Sequence, residues 1–244
     1  MFTPQSAVVR TTLLACFIAG FFMPHLPAHP LFSAIIPPLA IVGFALPGFT
    51  ELLKKYKSRG AWALLLLFVV AVSLEALSIT TGFPYSQFTY ADSAIGTKLF
   101  SLVPWTVPFA WVPLVLGTYA LITSHLTRPS AGKVLARAAL FLTAIDLCLD
   151  PIIVKLGYWH YLAGGIYYQV PFQNFLGWIL SGAYATWILG SFIKWKPLST
   201  PSLLGLLAIL LFWSGAAMST LLLLPTLAGI GCILMVTKKL TQRA

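Results

Sequence analysis

Charge is what this sequence has least of. Only 8% of its 244 residues are charged and five are acidic, against 59% hydrophobic residues. A soluble domain of that length needs far more polar surface to cover itself. No polar domain separates the hydrophobic runs, which approach the roughly 20 residues that cross a hydrocarbon core of about 30 Å. Alternating strand patterns are missing as well, which excludes a lipid-embedded barrel, so backbone polar groups must be satisfied within helices. The reading is all-α: a polytopic membrane helix bundle forming one integral membrane domain over residues 1–244.

Other absences narrow the chemistry. There are four histidines, and His25 and His29 share a stretch with Pro24, Pro27 and Pro30, where a regular helix cannot align them as metal ligands. A histidine-rich di-iron oxygenase is excluded. Glycine-rich phosphate loops, a serine elbow and a CxxC pair are absent. Cys16, Cys148 and Cys232 sit in apolar segments at no metal-binding spacing and read as small buried hydrophobes. A net charge of +10 would point to nucleic acid in a soluble protein; here the basic residues lie in loops, and no nucleic-acid partner is expected.

What is present is a succession of apolar spans. Val8 to Met23 is read as the first, because its apolar run continues past Cys16 and no small-residue cleavage site follows. Span two, about Leu31 to Thr50, holds Pro37, Pro38 and Pro47 and is expected to kink or break near its start. Lys54 to Arg59 is the densest basic cluster. Span three covers about Ala61 to Thr80 and contains Glu75; span four covers Val107 to Ser124; span five covers Val134 to Ile153; span six ends near Ile193. The last tract, Ser202 to Val236, is too long for one ordinary span. Eight spans with a tight turn near Met218 to Thr220 and both termini cytoplasmic leave only Lys98 and Lys155 outside, in keeping with the positive-inside rule. Seven spans, the alternative, would put the basic C-terminus outside.

The acids are then the anomaly. Asp146 and Asp150 lie four residues apart in span five, on one helix face, and Pro151 is expected to kink or end the helix there and free nearby carbonyls. With eight spans, Glu75, Asp146 and Asp150 fall towards the outer half of the membrane, beside two aromatic loops at Thr81–Trp105 and Gly157–Trp178. An ionisable group inside a span is by default a functional hypothesis. Three neighbouring carboxylates in low dielectric cannot all ionise cheaply, so one is expected to keep its proton and to be available as a general acid. A structural polar network tying spans three and five and a metal site of Glu75, Asp146, Asp150 and His160 are the competing readings. The Asp146–Asp150 spacing is shared with one motif of membrane prenyltransferases, but the second acidic motif is missing.

Tyr85, Phe88, Tyr90, Trp105, Trp111, Tyr158, Trp159, Tyr161, Tyr167, Tyr168, Phe172 and Trp178 crowd the acidic end. Part of that set is expected as an interfacial belt. Aromatic faces also stabilise positive charge, which suits protonation of an apolar alkene through a carbocation.

The residues Glu75, Thr81-Gly82-Phe83-Pro84-Tyr85, Phe88-Thr89-Tyr90, Pro104-Trp105-Thr106-Val107-Pro108-Phe109-Ala110-Trp111, Asp146-Leu147-Cys148-Leu149-Asp150-Pro151, Trp159 and Tyr167-Tyr168-Gln169-Val170-Pro171 through Asn174 to Trp178 carry a resemblance. In order and spacing they resemble the membrane carotenoid-biosynthesis family containing the cofactor-independent carotenoid 1,2-hydratases of the γ-carotene and bisanhydrobacterioruberin type. Tyr85 stands where the family pattern has phenylalanine and Ser86 where it has glycine. The resemblance implies addition of water to the terminal ψ-end double bond of a carotenoid, giving a tertiary alcohol, with no cofactor and no metal. It implies Asp146 or Asp150 as the acid, Glu75 as its partner or as the base that orients water, and Asn174 with His160 as polar positioners. Tyr85, Tyr90, Trp105, Trp111, Trp159, Tyr167, Tyr168 and Trp178 are the implied substrate contacts. The implied partners are a carotenoid drawn from the bilayer, membrane lipid and other enzymes of the carotenoid pathway, in the cell (inner) membrane. A carotenoid- or lipid-binding protein or a small transporter is the alternative outside catalysis.

Overall fold

The computed structural model describes residues 6–26, 30–91, 96–124 and 130–242, with 30–34 as backbone only. His29, Asp92, His125, Arg128 and Arg243 lie outside the described residues. The helices are α1 (Ala7–Phe22), α2 (Pro30–Thr81), α3 (Val107–Thr123), α4 (Ala131–Lys155), α5 (Phe172–Phe192), α6 (Thr200–Ser219) and α7 (Leu223–Thr241). Among the described residues four short strands, β1 (Phe88–Tyr90), β2 (Lys98–Leu99), β3 (Val103–Pro104) and β4 (Trp159–Tyr161), occupy the loops.

Among the described residues, five helices are long and apolar enough to cross a membrane: Ala7–His25, Ile35–Thr81, Phe172–Phe192, Thr200–Ser219 and Leu223–Thr241. The apolar α3 is shorter, and α4 carries Lys133, Arg137, Asp146, Asp150 and Lys155. Large apolar side chains face outwards from several helices: Leu39, Leu140, Leu180 and Leu234 are all more than half exposed. Such a surface is compatible with lipid and not with water.

α2 is a hairpin. Nineteen residues of straight helix would hold Phe49 and Phe68 about 28 Å apart, yet their ring centroids are 5.6 Å apart. The reversal is at Lys57, whose φ of 48° and ψ of −125° are non-helical. The sequence expectation of a break near Pro37 and Pro38 is corrected, because both prolines sit inside continuous helix; the reversal falls in the basic cluster, where spans two and three were expected to part. The final apolar tract divides at Thr220–Leu222, where Leu221 adopts φ 59° between α6 and α7.

α1 packs closely on α6. A Cβ on Gly20 would collide with the Phe212 carbonyl, and one on Gly215 with that of Phe17, so two glycines let the backbones meet. The buried centre of the bundle, including Leu52, Leu67, Leu116, Leu142, Ile145 and Ile188, draws on both arms of α2 and on α3, α4 and α5.

The two aromatic loops meet at one end of the bundle. β1 and β4 pair antiparallel, with Phe88 opposite Tyr161, Thr89 opposite His160 and Tyr90 opposite Trp159. Tyr158 reaches Met23 after α1 there, and the Tyr168 hydroxyl accepts from the Leu224 N–H at the start of α7. At the opposite end, Lys55 and Tyr56 donate to the Pro197 carbonyl, and Glu51 accepts from the backbone N–H and hydroxyl of both Ser199 and Ser202. One carboxylate thereby caps the N-terminus of α6 from another helix.

Candidate active site

The site begins with the proline that follows the aspartates. Pro151 has no N–H, so the Leu147 carbonyl one turn earlier loses its helical partner. Of the two outcomes expected at Pro151, a kink or an end, the end is corrected, because α4 runs on to Lys155. The freed carbonyl is nevertheless real: the Tyr167 hydroxyl donates to Leu147 O at 2.9 Å. That bond fastens the second aromatic loop across the aspartate-bearing turn.

Asp146 and Asp150 are 0% and 3% exposed, and Asn174 on α5 is 1% exposed. The Asn174 side-chain N–H2 donates to Asp146 Oδ2 at 2.7 Å and to Asp150 Oδ2 at 2.6 Å. A single amide, placed by the first turn of α5, therefore ties the two carboxylates together. Tyr161 donates a further hydrogen bond to Asp150 Oδ2 at 2.6 Å, and Tyr90 donates to Glu75 Oε2 at 2.8 Å. Asp146 Oδ1 is buried with no partner among the described residues. Burial first, then the neighbouring carboxylates, holds the Tyr90 and Tyr161 phenols well above the usual tyrosine range, so both remain neutral donors. Since β1 and β4 are paired, Tyr90 and Tyr161 reach their acids from one small sheet.

All three acids line one cavity of about 630 Å³. Around them stand Tyr90, Trp111, Trp159 and Trp178, with Tyr158 and Phe109 beside them. The cavity then runs along α1 past Ala19, Cys16 and Thr12, facing Ile36, Pro37, Ala40 and Ile41 on α2 and Phe212 and Trp213 on α6. Met23 and Thr12 mark a depth of about 16 Å at 1.5 Å per helical residue. Ile18 and Ile36 line it while 45% and 49% exposed, so the cavity opens sideways on the outer surface between α1 and α2. Among the described residues, none that lines it is Lys, Arg or His.

The other sequence-predicted residues are distributed around this centre. Tyr85 is buried behind the wall, 6.4 Å from the Trp178 ring, in a space left by Gly177. Trp105 packs edge-on against Phe109 and does not line the cavity. Tyr167 buttresses α4, whereas Tyr168 and His160 face a separate pocket, with His160 exposed. The structure does not bring His160 to the acids, and among the described residues no group of three His, Cys, Asp or Glu side chains is arranged to hold a metal ion. Ser86 has φ 81°, the left-handed backbone that glycine adopts most freely, which accounts for a glycine in the resembling pattern.

Sequence reasoning missed the acid-bonding roles of Tyr90 and Tyr161. A signal existed: a tyrosine buried near acids needs a hydroxyl partner, which phenylalanine would not. It also missed α1 and α6 as cavity walls, for which Gly20, Gly215 and the Phe212-Trp213 pair were the available clues.

Comparison with known proteins gives the same direction. Over 129 residues the chain is 36% identical to the bisanhydrobacterioruberin hydratase of Haloarcula japonica, a match covering 52% of this chain and 43% of that protein. The chain thus spans less than half the length of that curated relative. No solved structure matches. The family described as carotenoid biosynthesis protein matches residues 34–237, a stretch that contains all three acids, Asn174 and both aromatic loops, and the chain belongs to that family.

Proposed function

We propose that the protein is a carotenoid 1,2-hydratase that adds water to a terminal ψ-end double bond, giving a tertiary alcohol. The observation that carries this reading is the placement of three carboxylates at the aromatic end of an apolar cavity open to the side of the bundle. A long apolar polyene enters such a cavity from lipid, and among the described residues its lining offers a diphosphate no cationic partner. The curated relative is named as a hydratase.

In the proposed reaction the Asp146–Asp150 pair holds one proton between its members, because two adjacent buried negative charges repel. That proton passes to C2 of the alkene and leaves a tertiary cation at C1. The faces of Trp111, Trp159 and Trp178 shelter the cation, and a carboxylate orients the attacking water. Glu75, held by Tyr90, is the second carboxylate. The proton shed by water returns to the acids, so the cycle consumes one water and no net proton. The chain crosses the membrane eight times in this reading, counting both arms of α2, with its termini cytoplasmic and its acids in the non-cytoplasmic half.

The test is the pigment mass profile of bacterial hosts accumulating lycopene, γ-carotene or bisanhydrobacterioruberin, with and without the chain and with Asp146→Asn, Asp150→Asn or Glu75→Gln. The expected result is a more polar pigment, heavier by one water per modified end, that is lost with an amide variant. A pigment that co-purifies unchanged with well-folded protein in all three hosts would favour binding without catalysis.

A further inference from the structure

A second pocket of about 450 Å³ lies at the same end of the bundle. Lys155, His160, Tyr161, Tyr168 and Gln169 contribute its polar wall, and it shares no lining residue with the apolar cavity. Strand alternation divides β4 between the two: Trp159 lines the apolar cavity and His160 the polar pocket. Tyr161 belongs to both environments. It lines the polar pocket, while its hydroxyl donates to Asp150, which lines the apolar cavity.

Hydration of an alkene raises a supply problem. The substrate occupies an apolar cavity, and a water held in a protein needs about two to four polar partners. The second pocket supplies them: an imidazole, a carboxamide, a phenol and an ammonium, the last of which, Lys155, donates among the described residues to Thr220 O at 2.7 Å. A tyrosine hydroxyl that donates to a carboxylate still accepts from water.

Building on the hydratase reading, we propose that this pocket is the water port of the reaction and that Tyr161 is the positioning residue through which water reaches the acid pair. The site is then fed from two sides, with polyene arriving between α1 and α2 and water from beyond β4. The balance is unchanged: the C2–H bond forms with the acid's proton, the C1–O bond forms with water, and the second water proton returns to the vacated carboxylate.

The full-length chain in lipid vesicles, supplied with a carotenoid it hydrates, provides the test. In a Gln169→Cys variant, a bulky, charged, membrane-impermeant methanethiosulfonate should cut turnover about tenfold or more relative to the same variant unmodified, with carotenoid binding by absorption unchanged. The unsubstituted chain with the same reagent controls for Cys16, Cys148 and Cys232. Tyr161→Phe should lower kcat about 10- to 100-fold at unchanged KM and alter the solvent isotope effect. Modified Gln169→Cys turning over at the unmodified rate, or Tyr161→Phe with unchanged kcat and isotope effect, overturns the port alone. A wild-type chain that binds carotenoid in every host and hydrates none overturns the hydratase reading and the port together.

Discussion

Replacing Asn174 with leucine removes the shared donor and nearly preserves side-chain volume. The two bonds lost, at 2.7 and 2.6 Å, run to acids that are almost fully buried. Asp146 would then have no hydrogen bond on either oxygen among those described, because Oδ1 is already without a partner, while Asp150 would keep Tyr161. Hydrogen bonds to charged groups contribute about 1.5–3 kcal/mol each. If half of that combined interaction serves to align the acid in the transition state, the barrier rises by about 1.5–3 kcal/mol and kcat falls about 10- to 150-fold. KM should stay near the wild-type value, since Asn174 does not line the cavity. Steady-state turnover of purified protein, with substrate binding followed separately, checks both numbers. A folded Asn174→Leu protein with wild-type kcat, or one altered only in KM, would refute the idea that this amide organises the acids.

Further expectations follow from the same geometry. Tyr90→Phe deprives Glu75 of its 2.8 Å donor and should lower kcat about tenfold, measured in the same assay. Glu51→Gln breaks part of the cap on α6 and should lower stability by about 2 kcal/mol, seen as a lower melting temperature in detergent, with turnover per folded molecule unchanged. Ala40→Phe fills the middle of the cavity; overpacking of about 1–3 kcal/mol should raise KM for a full-length polyene more than for a short ψ-end surrogate. Gly20→Val drives a side chain into the Phe212 backbone and should reduce accumulation of folded protein, read from membrane yield.

The sequence made some of this legible for specific physical reasons. Apolar runs near membrane thickness have one viable backbone solution, so the helical bundle could be read directly. Asp146 and Asp150 on one helix face required no tertiary information, and the missing N–H of Pro151 foretold a free carbonyl, though not that α4 would continue. Less legible was anything set by pairing across the chain. That β1 lies beside β4 decides that Trp159 lines the acid-bearing cavity while His160 faces away, and strand register between loops some seventy residues apart is not written in either loop alone. The same holds for α1: its apolar sequence fits any lipid-facing helix, and only its seat on α6 through Gly20 makes it a cavity wall. The reversal at Lys57 falls where the basic cluster was expected to part spans two and three, whereas Pro37 and Pro38 pointed to a further break that the continuous helix does not show.

The central claim is that the acids add water to a carotenoid double bond. The most direct measurement is incubation of the purified, vesicle-embedded chain with a ψ-end carotenoid in ¹⁸O-labelled water, followed by mass analysis of the pigment. The account predicts a product heavier by one labelled water at each modified end, formed without oxygen gas, and not formed by Asp150→Asn. An unchanged pigment, or a product whose oxygen is unlabelled, would contradict it.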